Sequence, residues 1–216
     1  MLKKFLPALI FVLFFTNTYA QEKANALRHY SNARDLEIKG RNDDAVKEYK
    51  LAIDISLSDI QENPNDIDAY AVYTWSLFRL KRYNDTVAVC RQALQISQDP
   101  RIIETLGEAL FYLNRFDESL EQMQRYISMA ASGDRISVAY FFEAEIYLLL
   151  KQYNKAEIAY TTATFLQSGN SLWWFRLGFA RELIKDKQGA IDAYRKAIKI
   201  WPNYTNALNA LKRLGA

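Results

Sequence analysis

The stretch Ser171-Leu-Trp-Trp-Phe-Arg-Leu-Gly178 is followed by Lys187-Gln-Gly-Ala190-Ile-Asp-Ala-Tyr194-Arg-Lys-Ala197-Ile and then by Trp201-Pro202-Asn203. Ala190, Tyr194 and Ala197 are four and three residues apart, and these spacings keep side chains on one face of an α-helix. The small residues allow a neighbouring helix to approach, and the tyrosine fills the space between the two helices. The stretch therefore predicts a pair of packed helices.

The same small-bulky-small triplet occurs five times along the chain. Its members are Ala45, Tyr49 and Ala52; Thr86, Cys90 and Ala93; Ser119, Met123 and Tyr126; Ala156, Tyr160 and Ala163; and Ala190, Tyr194 and Ala197. Successive triplets begin 41, 33, 37 and 34 residues apart. A period near 34 residues is typical of stacked helix pairs, which bury a continuous core only together.

This pattern of a tryptophan, a Leu-Gly pair, the triplet and a closing proline resembles the tetratricopeptide repeat family. The resemblance covers about residues 26–203. It implies an all-α fold, a right-handed α-solenoid of about five helix-turn-helix repeats, at about 26–59, 67–100, 100–133, 137–170 and 171–204. Residues 205–214 are amphipathic through Leu208, Leu211 and Leu214, and we expect them to cap the last repeat. An alternative helical repeat with longer units stays open.

Two copies are longer than the family period, and the middle copies are degenerate. The 41-residue step contains residues 56–65, which predict an extended second helix that ends before Pro64. The 37-residue step contains residues 131–134, which predict a longer loop. Cys90 occupies the usual aromatic position in the second copy, and Tyr126 replaces the final small residue in the third. These departures concern local packing and leave the repeat itself intact.

The first twenty residues have the pattern of a secretory signal peptide. A basic start with Lys3 and Lys4 precedes eleven apolar residues, and small Ala20 precedes a polar segment. We expect cleavage after Ala20, which leaves residues 21–216 as one repeat domain in the periplasm or outside the cell. The bacterial periplasm fits best. An uncleaved leader that anchors the chain to a membrane is the alternative, although eleven apolar residues are few for a span.

Composition excludes several classes of protein. The chain has 50% apolar residues, enough for a substantial core, and a net charge of +3 without runs of Lys or Arg. We therefore expect no binding of nucleic acid through bulk charge. Cys90 is the single cysteine, so the chain forms no internal disulfide and carries no lipoprotein cysteine at the cut.

Residues with catalytic chemistry are scarce. His29 is the single histidine, and we interpret it as structural or exposed. Cys90 lies on the packing face of its helix, so we interpret it as a small buried residue. Glu104 and Glu108 are one turn apart, a spacing more typical of a solvated or binding face than of a catalytic pair. We expect no enzyme activity, no cofactor and no metal site.

The resemblance implies that the first helix of each repeat lines a concave groove that contacts a partner. The positions that match this face are Tyr30, Arg34, Trp75, Phe78, Arg101, Glu104, Glu108, Phe111, Phe141, Glu145, Leu148, Phe175, Phe179 and Glu182. Their aromatic and acidic character predicts a peptide or helix with apolar and basic residues. The simpler interpretation is that several of the aromatic residues pack between repeats, as we expect for Tyr140, Tyr147 and Trp174.

Three functions fit these features. The first is an exported adaptor that binds another protein, in envelope assembly or secretion. The second is a structural subunit that assembles with itself, and the third is a carrier of a small ligand or an enzyme. Some members of the family bind a C-terminal carboxylate through basic residues, but the corresponding face here carries Val72, Thr105 and the two glutamates. Trp201 is either a packing residue or a partner contact.

Overall fold

The computed structural model describes residues 26–130 and 133–216, and the described chain is helical throughout its regular elements. Helix α1 covers residues 26–38. The following helices are α2 (Asn42–Glu62), α3 (Ile67–Arg79), α4 (Tyr83–Ile96), α5 (Pro100–Tyr112), α6 (Phe116–Met129), α7 (Ile136–Leu149), α8 (Tyr153–Leu166), α9 (Ser171–Leu183), α10 (Lys187–Ile200) and α11 (Thr205–Leu214). The predicted signal peptide and part of the predicted loop at 131–134 lie outside the described residues.

The chain divides into two compact units, Met1–Ala109 and Leu110–Ala216, and the division falls within α5. Across the described residues of both units, no helix combines the length and the apolar character that crossing a bilayer requires. Each unit is built of antiparallel helix pairs that pack through the small and bulky positions of the triplets. All of these triplet side chains are buried, as the helical spacing predicted.

The first unit packs α1 against α2 and α3. Tyr49 of α2 is buried beside Ala33 and Ala45, and Tyr30 of α1 packs on this cluster. Helix α2 is the long second helix that residues 56–65 predicted, and it ends at Glu62, ahead of Pro64. Asp66 then caps the next helix by accepting a hydrogen bond from the backbone N–H of Ala69 at 3.2 Å.

The second unit contains two apolar clusters that share the helices of the last two repeats. Tyr160 is buried among alanines of α7, α8 and α9, together with Leu177. Tyr194 of α10 is buried in the second cluster, together with Ala207 and Leu211 of α11. The predicted capping helix is therefore present, and it covers the apolar side of α10.

The two helices of each repeat are joined by the same tight turn. One residue in each turn has a positive φ, at Gly40 (72°), Lys81 (59°), Asn114 (58°), Lys151 (59°) and Lys185 (67°). In the first turn the N–H of Gly40 donates to the carbonyl of Glu37, and the N–H of Arg41 donates to the carbonyl of Leu36. These bonds satisfy carbonyls that the end of a helix would otherwise leave unpaired. Because glycine adopts positive φ at least cost, the first turn is the least strained.

Candidate functional site

The predicted aromatic residues of the first unit pack mainly against other rings. The Tyr30 ring lies 5.8 Å from the Tyr49 ring and 5.5 Å from the Trp75 ring, centroid to centroid. The Phe78 ring lies 5.5 Å from the Tyr83 ring. Arg34 donates to the hydroxyl of Tyr30 at 3.4 Å. All four predicted residues are half-buried, so they contribute to helix packing and expose only part of their surface.

The predicted aromatic residues of the second unit behave in the same way. Phe141 stacks on Trp173 at 5.2 Å, and Phe111 meets Phe142 at 5.1 Å. Phe175 lies 5.3 Å from the ring of Tyr204, just before α11. Leu148 is half-buried against the cluster around Tyr160. Phe179 is the exception, because it is 37% exposed on α9.

The prediction of an exposed acidic centre at Glu104 and Glu108 is wrong. The two residues are only 5% and 8% exposed. The reason is that α5 is buried on every side from Ile102 to Leu110, so its groove-facing positions have little solvent access. The charge of Glu108 also contributes to the raised pKa of Tyr83, after the larger effect of burial. These carboxylates therefore belong to the interior of the fold.

The other two predicted carboxylates form ion pairs with arginines that were not among the predicted site residues. Glu145 of α7 accepts hydrogen bonds from Arg176 of α9 and from the hydroxyl of Tyr160. Glu182 of α9 accepts from Arg213 of α11 at 2.7 and 2.9 Å and from the hydroxyl of Tyr194. Each glutamate thus joins a triplet tyrosine to an arginine 31 residues further along the chain.

A third network of the same kind lies in the first unit. Glu37 of α1 accepts a hydrogen bond from the hydroxyl of Tyr49 at 2.9 Å and forms an ion pair with Arg79 of α3. Burial and this hydrogen bond raise the pKa of Tyr49. We call these three groups the Tyr-Glu-Arg networks. Because each carboxylate already has a guanidinium partner, its charge offers little attraction to a basic ligand.

An exposed apolar stripe runs along α9. Leu172, Phe179 and Leu183 are 44%, 37% and 37% exposed, and Phe175 lies on the same face at a spacing of three and four residues. We call this surface the α9 stripe. Leu149 adds an exposed leucine at the end of α7. Leu172 and Leu183 were not among the positions predicted from the family's groove face, although their helical spacing with Phe175 and Phe179 is visible in the sequence.

A cavity of about 370 Å³ lies in the first unit at the start of α1 and α3. Its walls are Leu27 of α1 and Val72 and Trp75 of α3, and its polar lining is Asp59, Asp68 and Arg101. Arg101 donates to Asp68 at 2.8 Å and to Asp99 at 2.7 Å. Of the predicted groove residues, Trp75 and Arg101 therefore line this cavity.

The pKa of Asp99 reflects its contact with Arg101. Burial opposes ionisation of Asp99, but hydrogen bonds from Arg101 outweigh burial and hold the pKa of Asp99 below its usual value. The Asp99 carboxylate is therefore charged at neutral pH and holds the Arg101 side chain beside the cavity.

The remaining reactive residues lie in structural positions. The Nδ1 atom of His29 is 2.7 Å from a carboxylate oxygen of Glu48. Cys90 is fully buried, and burial raises the pKa of its thiol to about 12. Trp201 is half-exposed and stacks on Tyr204 at 5.1 Å. Within residues 26–130 and 133–216, no three His, Cys, Asp or Glu side chains form a group that could hold a metal ion.

Comparison with protein families supports the repeat pattern directly. A tetratricopeptide repeat model matches residues 104–171 and 152–205. Residues 104–205 therefore consist of tetratricopeptide repeats. The predicted fold class, an all-α arrangement of helix-turn-helix repeats, is also confirmed. No protein of curated function matches the sequence.

Solved tetratricopeptide repeat proteins share the fold at low sequence identity. TTC0263 from Thermus thermophilus is 17% identical, with a TM-score of 0.64 over 88% of this chain and 98% of that one. YrrB, described as having an unusual peptide-binding site, is 18% identical, with a TM-score of 0.60 over 92% of this chain and 97% of that one. MamA from Desulfovibrio magneticus is 16% identical, with a TM-score of 0.61 over 83% and 97%. These likenesses concern the fold.

Proposed function

We propose that this tetratricopeptide repeat protein is an exported scaffold that binds another protein through the α9 stripe, in envelope assembly or secretion. The observation that carries the proposal is the exposure of Leu172, Phe179 and Leu183 on one face of a first helix. Exposed apolar side chains arranged at helical spacing are the usual anchors for a partner helix or an extended peptide. The peptide-binding site named for YrrB, a protein of the same fold, is consistent with this use.

The size of the α9 stripe indicates what kind of partner it fits. Burying an exposed Leu or Phe side chain contributes about 1.5–3 kcal/mol, so covering the exposed parts of three such residues contributes roughly 2–4 kcal/mol. Micromolar affinity requires about 8 kcal/mol after the costs of association. The partner must therefore also cover surface around the stripe. A helix or peptide with several apolar residues meets this need better than a small ligand does.

The chemistry of the partner follows from the paired carboxylates. Glu145 and Glu182 are already bound to Arg176 and Arg213, so they provide little net charge beside the stripe. We therefore propose a partner segment that is apolar at the contact and has its basic residues outside the contact.

The test is capture of a partner by the chain from residue 21 onward. The same capture is carried out with a triple variant of the stripe and with a double variant that serves as the control. Leu172→Ser, Phe179→Ser and Leu183→Ser together remove the α9 stripe. The matched control, Ile158→Ser with Phe165→Ser, removes exposed apolar residues of α8. A protein retained by the wild type and the control but lost by the stripe variant supports the proposal. Equal retention by all three proteins refutes it.

Export rests on the leader pattern of residues 1–20. The proposal predicts that the protein isolated from the cell envelope begins at Gln21, which N-terminal sequencing of that fraction checks. A chain that retains Met1 to Ala20 would instead support the membrane-anchored alternative.

Self-assembly is the second candidate, and exposed apolar residues on α8 favour it. Phe165 and Ile158 are 85% and 64% exposed, and they lie seven residues apart on one helix face. The corresponding positions of α10 are occupied by Asp192 and Lys199. Sedimentation over a range of concentrations distinguishes the candidates. A mass that rises with concentration and returns to that of a monomer in the α8 variant would favour self-assembly.

A further inference from the structure

We propose that the cavity of the first unit binds a lysine side chain of a partner peptide. The cavity volume of about 370 Å³ lies at the lower end of the range for ligand sites, which suits a single side chain with its flanking backbone. The site is formed entirely by the first unit. It shares no residue with the α9 stripe, so the lysine-site proposal and the scaffold proposal can each fail without the other.

The apolar walls fit the aliphatic part of a lysine. Leu27, Val72 and Trp75 line the cavity from two helices, and the ring of Tyr30 supports the indole of Trp75 at 5.5 Å. A lysine stem can bury its methylene groups against such walls while the ammonium group stays at a polar end. An ammonium group is also attracted to the face of an indole ring when it lies within about 6 Å of the ring centroid.

The polar end of the cavity fits a cation. Asp68 and Asp99 share the guanidinium group of Arg101, so these two carboxylates exceed the local positive charge by one. Asp59, whose side chain is buried, adds carboxyl oxygens to the lining. Among the described residues that line the cavity, the only basic one is Arg101. An arriving ammonium group therefore meets excess negative charge, whereas an anion would be repelled.

Lysine fits this arrangement better than arginine does. Arg101 already occupies the planar, bidentate position beside Asp99, with contacts at 2.7 and 3.0 Å. A compact ammonium group can approach the exposed carboxylate of Asp68 without displacing Arg101, whereas a second guanidinium would compete for the same oxygens. The cavity therefore selects a peptide in which a lysine lies between apolar residues.

The experiment uses the chain from residue 21 onward and the probe acetyl-Leu-Lys-Leu-amide. Binding is followed by the NMR resonance of the Trp75 indole N–H, which the Trp75→Phe variant assigns. The neutral probe has norleucine in place of lysine, and pentylamine tests whether a small amine is sufficient. We expect the lysine peptide to shift the Trp75 resonance at lower concentration than either of the other two probes.

Two aspartate variants separate the site from general surface charge. Asp68→Asn should weaken binding about two- to fivefold, the effect of losing one exposed charge pair. Asp85→Asn is the matched control, because Asp85 is also exposed and also pairs with an arginine, Arg82, in the same unit. It should leave binding unchanged. Circular dichroism of each variant checks that it is folded.

Several results would overturn the proposal. These are the absence of a Trp75 shift with the lysine peptide, equal binding of the norleucine peptide, and equal effects of the two aspartate variants. Binding of pentylamine as tight as that of the peptide would assign the cavity to a small amine and would also refute a peptide partner. The variant that lacks the α9 stripe should still bind the lysine peptide. A failure of the lysine site can therefore be distinguished from a failure of the proposed scaffold function.

Discussion

Replacing Arg176 with methionine should weaken the second unit more than its position near the surface suggests. The substitution removes the guanidinium partner of Glu145 but retains an aliphatic side chain of similar length. The Glu145 side chain is only 13% exposed, and that of Arg176 is 25% exposed. The variant therefore leaves a carboxylate in a mostly buried site, where only the hydroxyl of Tyr160 still donates to it.

The expected cost follows from the burial of the pair. Removing one partner of a fully buried ion pair costs about 3–5 kcal/mol, because the other charge stays without compensation. Partial exposure and the remaining Tyr160 hydrogen bond reduce this penalty to about 2–3 kcal/mol. For a chain of this size the midpoint of thermal unfolding should fall by roughly 5–10 °C.

A triple variant tests the physical reason. Arg176→Met, Glu145→Met and Tyr160→Phe together remove both charges and the hydroxyl group that would lose its acceptor. Apolar replacement of a whole buried ionic group is often neutral, so the triple variant should recover most of the stability lost by the single one. Because repeat arrays can unfold in parts, urea denaturation is combined with hydrogen exchange of the amides in α7 and α9.

Two results would refute this reasoning. A single variant as stable as the wild type would mean that the carboxylate finds enough solvent without Arg176. A triple variant less stable than the single one would mean that the network contributes net stability rather than avoiding a penalty. Arg213→Met provides the comparison. Glu182 is also 13% exposed, but Arg213 is 61% exposed, so its removal opens Glu182 to water and should have a smaller effect.

Three other predictions concern the same repeats. Burial opposes ionisation of Glu182, but hydrogen bonds from Arg213 and Tyr194 hold the pKa of Glu182 below its usual value. The stability that the ionised Glu182 contributes is complete above about pH 4.3, and it is lost as the pH falls through the lowered pKa. Arg213→Gln should move that pKa upward, as carboxyl NMR titration would show. Gly178→Ala should cost about 1–3 kcal/mol in urea denaturation, because the added Cβ would lie 2.6 Å from a buried tyrosine ring. Gly40→Ala should cost about 1–2 kcal/mol through its positive φ alone, whereas Gly169→Ala, also in open space but without positive φ, should not lower stability in the same assay.

The helical spacing of the sequence was enough to predict the fold. The triplets identified which side of each second helix is buried, and Pro64 marked the end of the extended helix α2. These features are visible because spacings of three and four residues report one helix face directly. Residues 205–214 were likewise predicted as a cap because their apolar residues share one side.

The candidate site was less predictable, because spacing shows the direction of a side chain but not its access to solvent. Glu104 and Glu108 share one face of α5 by their spacing, yet that helix is buried on every side from Ile102 to Leu110. Glu182 was selected because its position matches the groove face of the family, and its partner Arg213 is 31 residues away, beyond any local pattern. Leu172 was overlooked because the positions that match the family's groove face did not include it.

The C-terminal helix α11 has the local features of the first half of another repeat. Arg213 lies at the same offset from Glu182 as Arg176 does from Glu145, and Gly215 has a φ of 74°, close to the 72° of Gly40 in the first repeat turn. A designer could therefore graft a further helix after Gly215 and reuse the existing turn geometry. The repeat array would then gain one helix, and the interface between α10 and α11 would not need to be redesigned.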